Sequence, residues 1–237
     1  MGILAFTRGG VLKVEARGEI PDSRSRRVDQ FDFESYPFQL NGAAVTSGLA
    51  EQLEAHVVFL AGLGEKSTRR PKSLTAAMEY IERQFRDAGL RVERQKFQAG
   101  GVASTNLDAN VTVFSRSRPH LLVGAHYDSA YGTPGADDNC SAVALLIELA
   151  RHFATHPRAA ELRFAAFANE EPPHFLSGTM GSLVFARECR KRCDALRAMI
   201  CLESLGVYSD APGTQSLPPG VEHLIPGRCR ELCGAGG

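Results

Sequence analysis

The sequence predicts an α/β protein, a three-layer α/β/α sandwich with helices on both faces of a mostly parallel, mixed central sheet. Two observations lead there. From about residue 90 onward, segments of strand character alternate with segments of helical period, the pattern of βαβ units. The strand segments HLLVGAHYD (120–128), LRFAAFANEE (162–171) and RAMICLES (197–204) are largely apolar at successive positions, so both of their faces require a cover. A chain of 237 residues with 43% hydrophobic content is long enough for one large domain with a proper core.

Taken in order, residues 1–44 carry short apolar stretches, the basic cluster Arg24, Arg26, Arg27 and the aromatic stretch FDFESYPF without a single period. They read as an N-terminal extension of uncertain order. The α/β domain spans 45–212. It opens with an amphipathic helix through Leu49, Leu53, Val57, Val58 and Leu60, capped by Thr46 or Ser47. After the loop STRRPK a second helix is expected, with Ser73 as its cap, Leu74, Ala77, Tyr80, Ile81 and Phe85 on its apolar face, and Gly89 at its end. Strands follow at VERQKF and NLDANVTVF, then at HLLVGAHYD. Next come a helix over SAVALLIELARHF, the strand LRFAAFANEE, a helix near SLVFARECRKRC and the strand RAMICLES. The proline- and glycine-rich stretch 213–237 has no sustained period and reads as an irregular tail.

Lys plus Arg and Asp plus Glu both total 27, so no bulk attraction to nucleic acid or an anionic membrane is expected. No run approaches the roughly 18 apolar residues of a membrane span. The first residues lack the basic start and sustained apolar core of a secretory signal. As written, the chain reads as cytoplasmic. Its six cysteines form no paired C-x-x-C knuckles and read as free thiols in a reducing compartment.

Chemistry concentrates where strands end. GAHYDS (124–129), PGADDN (134–139), ANEEPP (168–173) and CLES (201–204) each place acids, one of them with a histidine, at such a junction. In open α/β sheets the ligand crevice lies beyond the carboxyl ends of the strands, so the four segments converge on one site. His126 offers an imidazole nitrogen, and Asp138, Glu171 and Glu203 offer carboxylates, the mixed donor set that zinc accepts. The adjacent pair Glu170 and Glu171 suggests divided labour, one acid on metal and its neighbour as general base. Asp128, two residues beyond His126, is placed to accept the other imidazole N–H. Asp137 reads as a neighbouring loop acid.

The segments GAHYDSAYGTPGADDNCSAVALLIELA, FANEEPP and ICLESLG resemble metallopeptidase family 28, the co-catalytic zinc aminopeptidases of bacterial leucyl and general type. The likeness is strongest over 120–208 and reaches back to about Leu49 through SLTAAMEYIERQFRDAGLRV. It implies a zinc-aminopeptidase, phosphorylase-like sandwich with two zinc ions in the family and a peptide substrate. Carried over by motif, His126 is similar to a ligand of one zinc, Asp138 to the bridging aspartate, Glu171 to a ligand of the other zinc, and Glu203 to the acid completing the first set. Glu170 is similar to the general base that works with water activated on the metals. The Asp138–Asn139 bond falls where such enzymes often hold a non-proline cis peptide.

Members of the family carry a final histidine ligand on a later segment, and this sequence has no matching one. The resemblance therefore implies a missing C-terminal part, one or two zinc ions here, and an activity that the truncation could remove. His174 and His223 are the histidines weighed as substitutes. A frameshift near residue 217 would account for the change of texture in the tail. Relatives are often exported or membrane-tethered. Two other readings stay open at this point: a non-catalytic relic or binding fragment of the same fold, and a glutaminyl cyclase-like or carboxypeptidase relative.

Overall fold

The computed structural model describes residues 2–5, 46–111, 114–156 and 161–207. Residues 2–5 lie within the stretch read as an extension and form strand β1 (Gly2–Ala5). The tail from 208, with His223, Cys229 and Cys233, lies outside the described residues, as do 6–45.

Helix α1 spans Thr46–Gly62 and helix α2 spans Pro71–Asp87. α2 begins two residues before the Ser73 cap that its sequence suggests, because Pro71 occupies the first turn, where the missing N–H has no helical partner to lose. Its stripe of Leu74, Ala77, Met78, Ile81 and Phe85 is buried, as period 3.6 requires. Glu82 is buried on the same helix and is held by Arg86 and Arg94, which ties α2 to the next strand and keeps the Glu82 carboxyl below its ordinary range.

Strands β2 (Arg91–Ala99) and β3 (Val102–Asn110) form an antiparallel hairpin. Gly100 and Gly101 turn it with φ of 58° and 81°, the paired positive values of a two-residue turn that glycine adopts without strain. This Gly-Gly turn draws the second strand back to 102–110 from the 106–114 read in the sequence. The remaining elements follow the expected order: β4 (His120–His126), a wide helical turn (Ala136–Ser141), α3 (Ala142–Thr155), β5 (Glu161–Phe167), α4 (Gly181–Lys191) and β6 (Leu196–Cys201).

The sheet order is β1-β6-β4-β5-β3-β2, parallel from β1 through β5 and antiparallel over β5, β3 and β2. Residue parity sorts the core into two layers. Val123, Ala125, Phe164 and Ala166 pack with residues of α1, α2 and α3 on one face, while Leu122, Ala165 and Phe167 pack with Phe185 and Cys189 of α4 on the other. The fold is thus an α/β sandwich of three layers. Among the described residues no helix is long and apolar enough to cross a membrane, and Cys140, Cys189, Cys193 and Cys201 are unpaired.

One feature of the topology positions the site. From β4 the chain runs through α3 to β5 on one side, and from β5 it returns through α4 to β6 on the other side of β4. Helices therefore leave in opposite directions at the carboxyl end of β4, the switch point where open α/β sheets form their crevice.

Candidate metal centre

His126 is the last residue of β4, Glu170 and Glu171 follow β5, and Glu203 follows β6. Backbone bonds continue past the strands and hold these ends together: Tyr127 donates to Phe167 O at 2.9 Å and Leu202 to Gly124 O at 2.8 Å. Asp138 arrives from the helical turn 136–141, whose backbone leaves helical values at Asp138 (φ −104°, ψ 94°) and Asn139 (φ −134°, ψ 30°). The Asp138–Asn139 peptide bond is cis, as is Pro172–Pro173.

The structure gathers the acids around one imidazole. His126 Nε2 lies 3.1 Å from an Asp138 oxygen and 3.2 Å from a Glu203 oxygen. Ligand atoms of His126, Asp138 and Glu171 all lie within 4.8 Å of one another. Two ligands each about 2.1 Å from a tetrahedral ion stand about 3.4 Å apart, so the imidazole and its two carboxylates are spaced as donors sharing a cation are. On its other side, His126 Nδ1 faces Asp128 at 3.4 Å, an ion-pair contact longer than a well-formed hydrogen bond.

Electrostatics points the same way. Burial pushes the His126 imidazole down, and the carboxylates of Asp128, Asp138 and Glu203 outweigh it, so its pKa stands well above the ordinary value. The His126 contact draws Asp138 below the usual carboxylate range. Burial raises Glu171, and Asp138 beside it adds to the rise. Several carboxylates thus converge on one imidazole, a surplus of negative charge that a divalent cation neutralises. Burial, with Glu203 nearby, pushes the Cys201 thiol up to about 11.

The supporting residues are as specific as the acids. Asp128 is buried and accepts the backbone N–H groups of Glu170 (3.1 Å) and Glu171 (3.0 Å), fixing the turn that carries both. Asn139 donates to a Glu203 oxygen at 3.2 Å and to Leu202 O at 3.2 Å, and accepts from the Ser204 N–H. Asp137 accepts the Gly206 N–H at 2.7 Å, bracing the segment beyond Glu203. Glu170 receives the Ser182 N–H at 2.6 Å and the Ser182 hydroxyl at 2.8 Å. Burial pushes the Glu170 carboxyl up, and these two donors offset part of the rise.

His174 is buried with both ring nitrogens beside hydroxyls, Thr179 at 2.9 Å and Thr68 at 3.1 Å. Its nitrogens are engaged in pinning the loop that follows Glu171. His56 bonds Tyr80 and Glu148 in a network between the helices, and His120 bonds Arg118 O. Sequence reasoning did not name Ser182, and it named Asn139 only for its peptide bond, not for the side chain that serves Glu203. The signal for Ser182 was the glycine before it: Gly181 donates to Ala168 O at 2.9 Å, and a Cβ there would stand 2.1 Å from that oxygen and 2.5 Å from Asn106 Oδ1. Gly181→Ala is expected to cost about 1–3 kcal/mol by overpacking, measured by urea unfolding. Unchanged stability would show that the approach is not tight.

Comparison with known proteins places the chain among relatives of known family and fold. The model of peptidase family M28 matches residues 109–226. An uncharacterized protein, YfbL of Escherichia coli (strain K12), is 37% identical over 188 residues, 75% of this chain and 57% of YfbL. Two solved structures share the fold at 19% identity. A glutaminyl cyclase from Porphyromonas gingivalis matches with a TM-score of 0.58 over 69% of this chain and 62% of its own. A Zn-dependent exopeptidase from Parabacteroides distasonis ATCC 8503 matches with a TM-score of 0.57 over 69% and 64%. The chain thus spans 57% to 64% of the length of these relatives.

Proposed function

Because the chain belongs to peptidase family M28, we propose that it is a zinc-dependent aminopeptidase that removes N-terminal residues from peptides. The observation that carries the reading is the convergence of His126, Asp138, Glu171 and Glu203 at the switch point, with the shielded carboxylate of Glu170 beside them. His126, Asp138 and Glu203 would hold one ion. Asp138 and Glu171 would reach a second. When bound, zinc supplies Lewis acidity, making water acidic and polarising a carbonyl.

The rest of the chemistry falls to side chains. Glu170 takes a proton from the attacking water and passes it to the departing amine, the double duty of a general acid–base whose pKa burial raises and the Ser182 donors partly lower. Asp128 orients the His126 ring and, through two amides, the Glu170–Glu171 turn. Asn139 keeps Glu203 turned inward.

Zinc content per chain, measured by plasma emission after chelation and reloading, tests the reading together with turnover of aminoacyl p-nitroanilides. The expected result is zinc uptake with hydrolysis that chelator removes and zinc restores. Bound zinc without turnover of any aminoacyl substrate would instead identify a non-catalytic metal-binding relative, and cyclisation of a glutaminyl peptide without hydrolysis would identify a cyclase.

A further inference from the structure

The start of α4 is fastened to the end of β5 by one buried side chain. Asn106 of β3 accepts the Ala168 N–H at 3.0 Å and donates to Gly181 O at 2.8 Å. Gly181 in turn donates to Ala168 O. This clamp brings the second residue of α4, Ser182, directly under Glu170. Its backbone N–H meets one carboxylate oxygen at 2.6 Å and its hydroxyl meets the other at 2.8 Å. Both oxygens of the candidate base are therefore addressed by one residue, from an element that contributes nothing else to the site.

We propose that Ser182 is a positioning residue for the general base, an inference that rests on the peptidase reading of Glu170. Its two donors differ in kind. A backbone N–H is fixed and can only donate, so Oε1 remains a hydrogen-bond acceptor throughout. A hydroxyl rotates, so Oε2 can be released as a proton arrives. In the hydrolytic step the water oxygen bonds to the carbonyl carbon, its O–H bond breaks and the proton binds Oε2. That proton then passes to the amine nitrogen as the C–N bond breaks. Ser182 thereby sets both where the base sits and which of its oxygens does the work.

The test compares Ser182→Ala, Ser182→Thr and wild type, all zinc-reloaded. In Ser182→Ala, kcat is expected to fall roughly 10- to 100-fold with KM and zinc affinity close to wild type, and Ser182→Thr, which keeps the hydroxyl, recovers most of the loss. A crystal structure of Ser182→Ala supplies a readout independent of turnover: the Glu170 carboxylate leaves its wild-type position by about 1 Å or more. Retained kcat, an equal loss in Ser182→Thr, or an unmoved carboxylate would each overturn the proposal. If wild type hydrolyses no aminoacyl substrate, the peptidase reading fails, and the carboxylate position alone decides the role of Ser182.

Discussion

Glu170→Gln is expected to lower kcat for aminoacyl p-nitroanilides by about 10²–10⁴-fold, the contribution of a positioned general base, while zinc content stays at the wild-type level. The two halves of this outcome have separate causes. Glu170 does not belong to the cluster of His126, Asp138 and Glu171, so the amide leaves the candidate ligands intact. It removes a carboxylate held on both oxygens by Ser182 and raised in pKa by burial. The variant is expected to fold normally. Its amide oxygen still accepts the Ser182 N–H, and the Ser182 hydroxyl can turn to accept from the new NH₂. Steady-state kinetics beside metal analysis checks both halves. Hydrolysis within tenfold of wild type would remove Glu170 from the role of base, and a parallel loss of zinc would make it a ligand instead.

Much of this arrangement was legible in the sequence, for an identifiable reason. The doubly apolar runs at 120–128 and 162–171 are strands covered on both faces, and Val123, Ala125, Leu122 and Ala165 sort by parity onto the two layers. Acids placed where such runs end must meet if the strands are neighbours, and β6, β4 and β5 are adjacent in the sheet. Local pattern therefore pointed to His126, Asp138, Glu171 and Glu203 as neighbours, and the structure places them close together. What it missed depends on approach between distant segments. Ser182 reaches Glu170 only because Asn106, 75 positions before Gly181, ties two loops together, and no period in the chain encodes that. Asn139 reads locally as part of an acidic loop, whereas its side chain serves Glu203 far along the sequence. The start of the second strand was missed for a different reason. Gly100–Gly101 is a local turn signal, and the strand begins directly after it at Val102 rather than at Asn106, through the polar pair Ser104 and Thr105.

Arg163 was equally silent, since its partners Asp108 and Asp194 lie far from it in sequence, and it carries the largest stability effect expected outside the site. Its side chain is fully buried. The guanidinium forks onto Asp108 with two bonds of 2.6 Å, gives a third to Asp194 at 2.7 Å, and lies 4.7 Å from the centre of the Phe185 ring. Burial pulls its pKa down and Asp108 more than restores it, leaving the cation firmly charged. Arg163→Met keeps most of the apolar stem but strands two buried carboxylates, a loss of about 3–5 kcal/mol to be read from urea unfolding. Arg116 at 3.6 Å from Asp108 and Arg192 at 3.7 Å from Asp194 can compensate only in part, because both stand at longer range and nearer solvent. Adding Asp108→Asn to Arg163→Met should recover some of the loss, since an amide leaves no buried charge behind. Arg163 pairs with Asn110 and Leu122 early in the sheet, away from the carboxyl ends that carry the metal centre. Zinc content and turnover per folded molecule should therefore survive the change. A variant within about 1 kcal/mol of wild type would mean that the cluster contributes specificity of packing rather than stability.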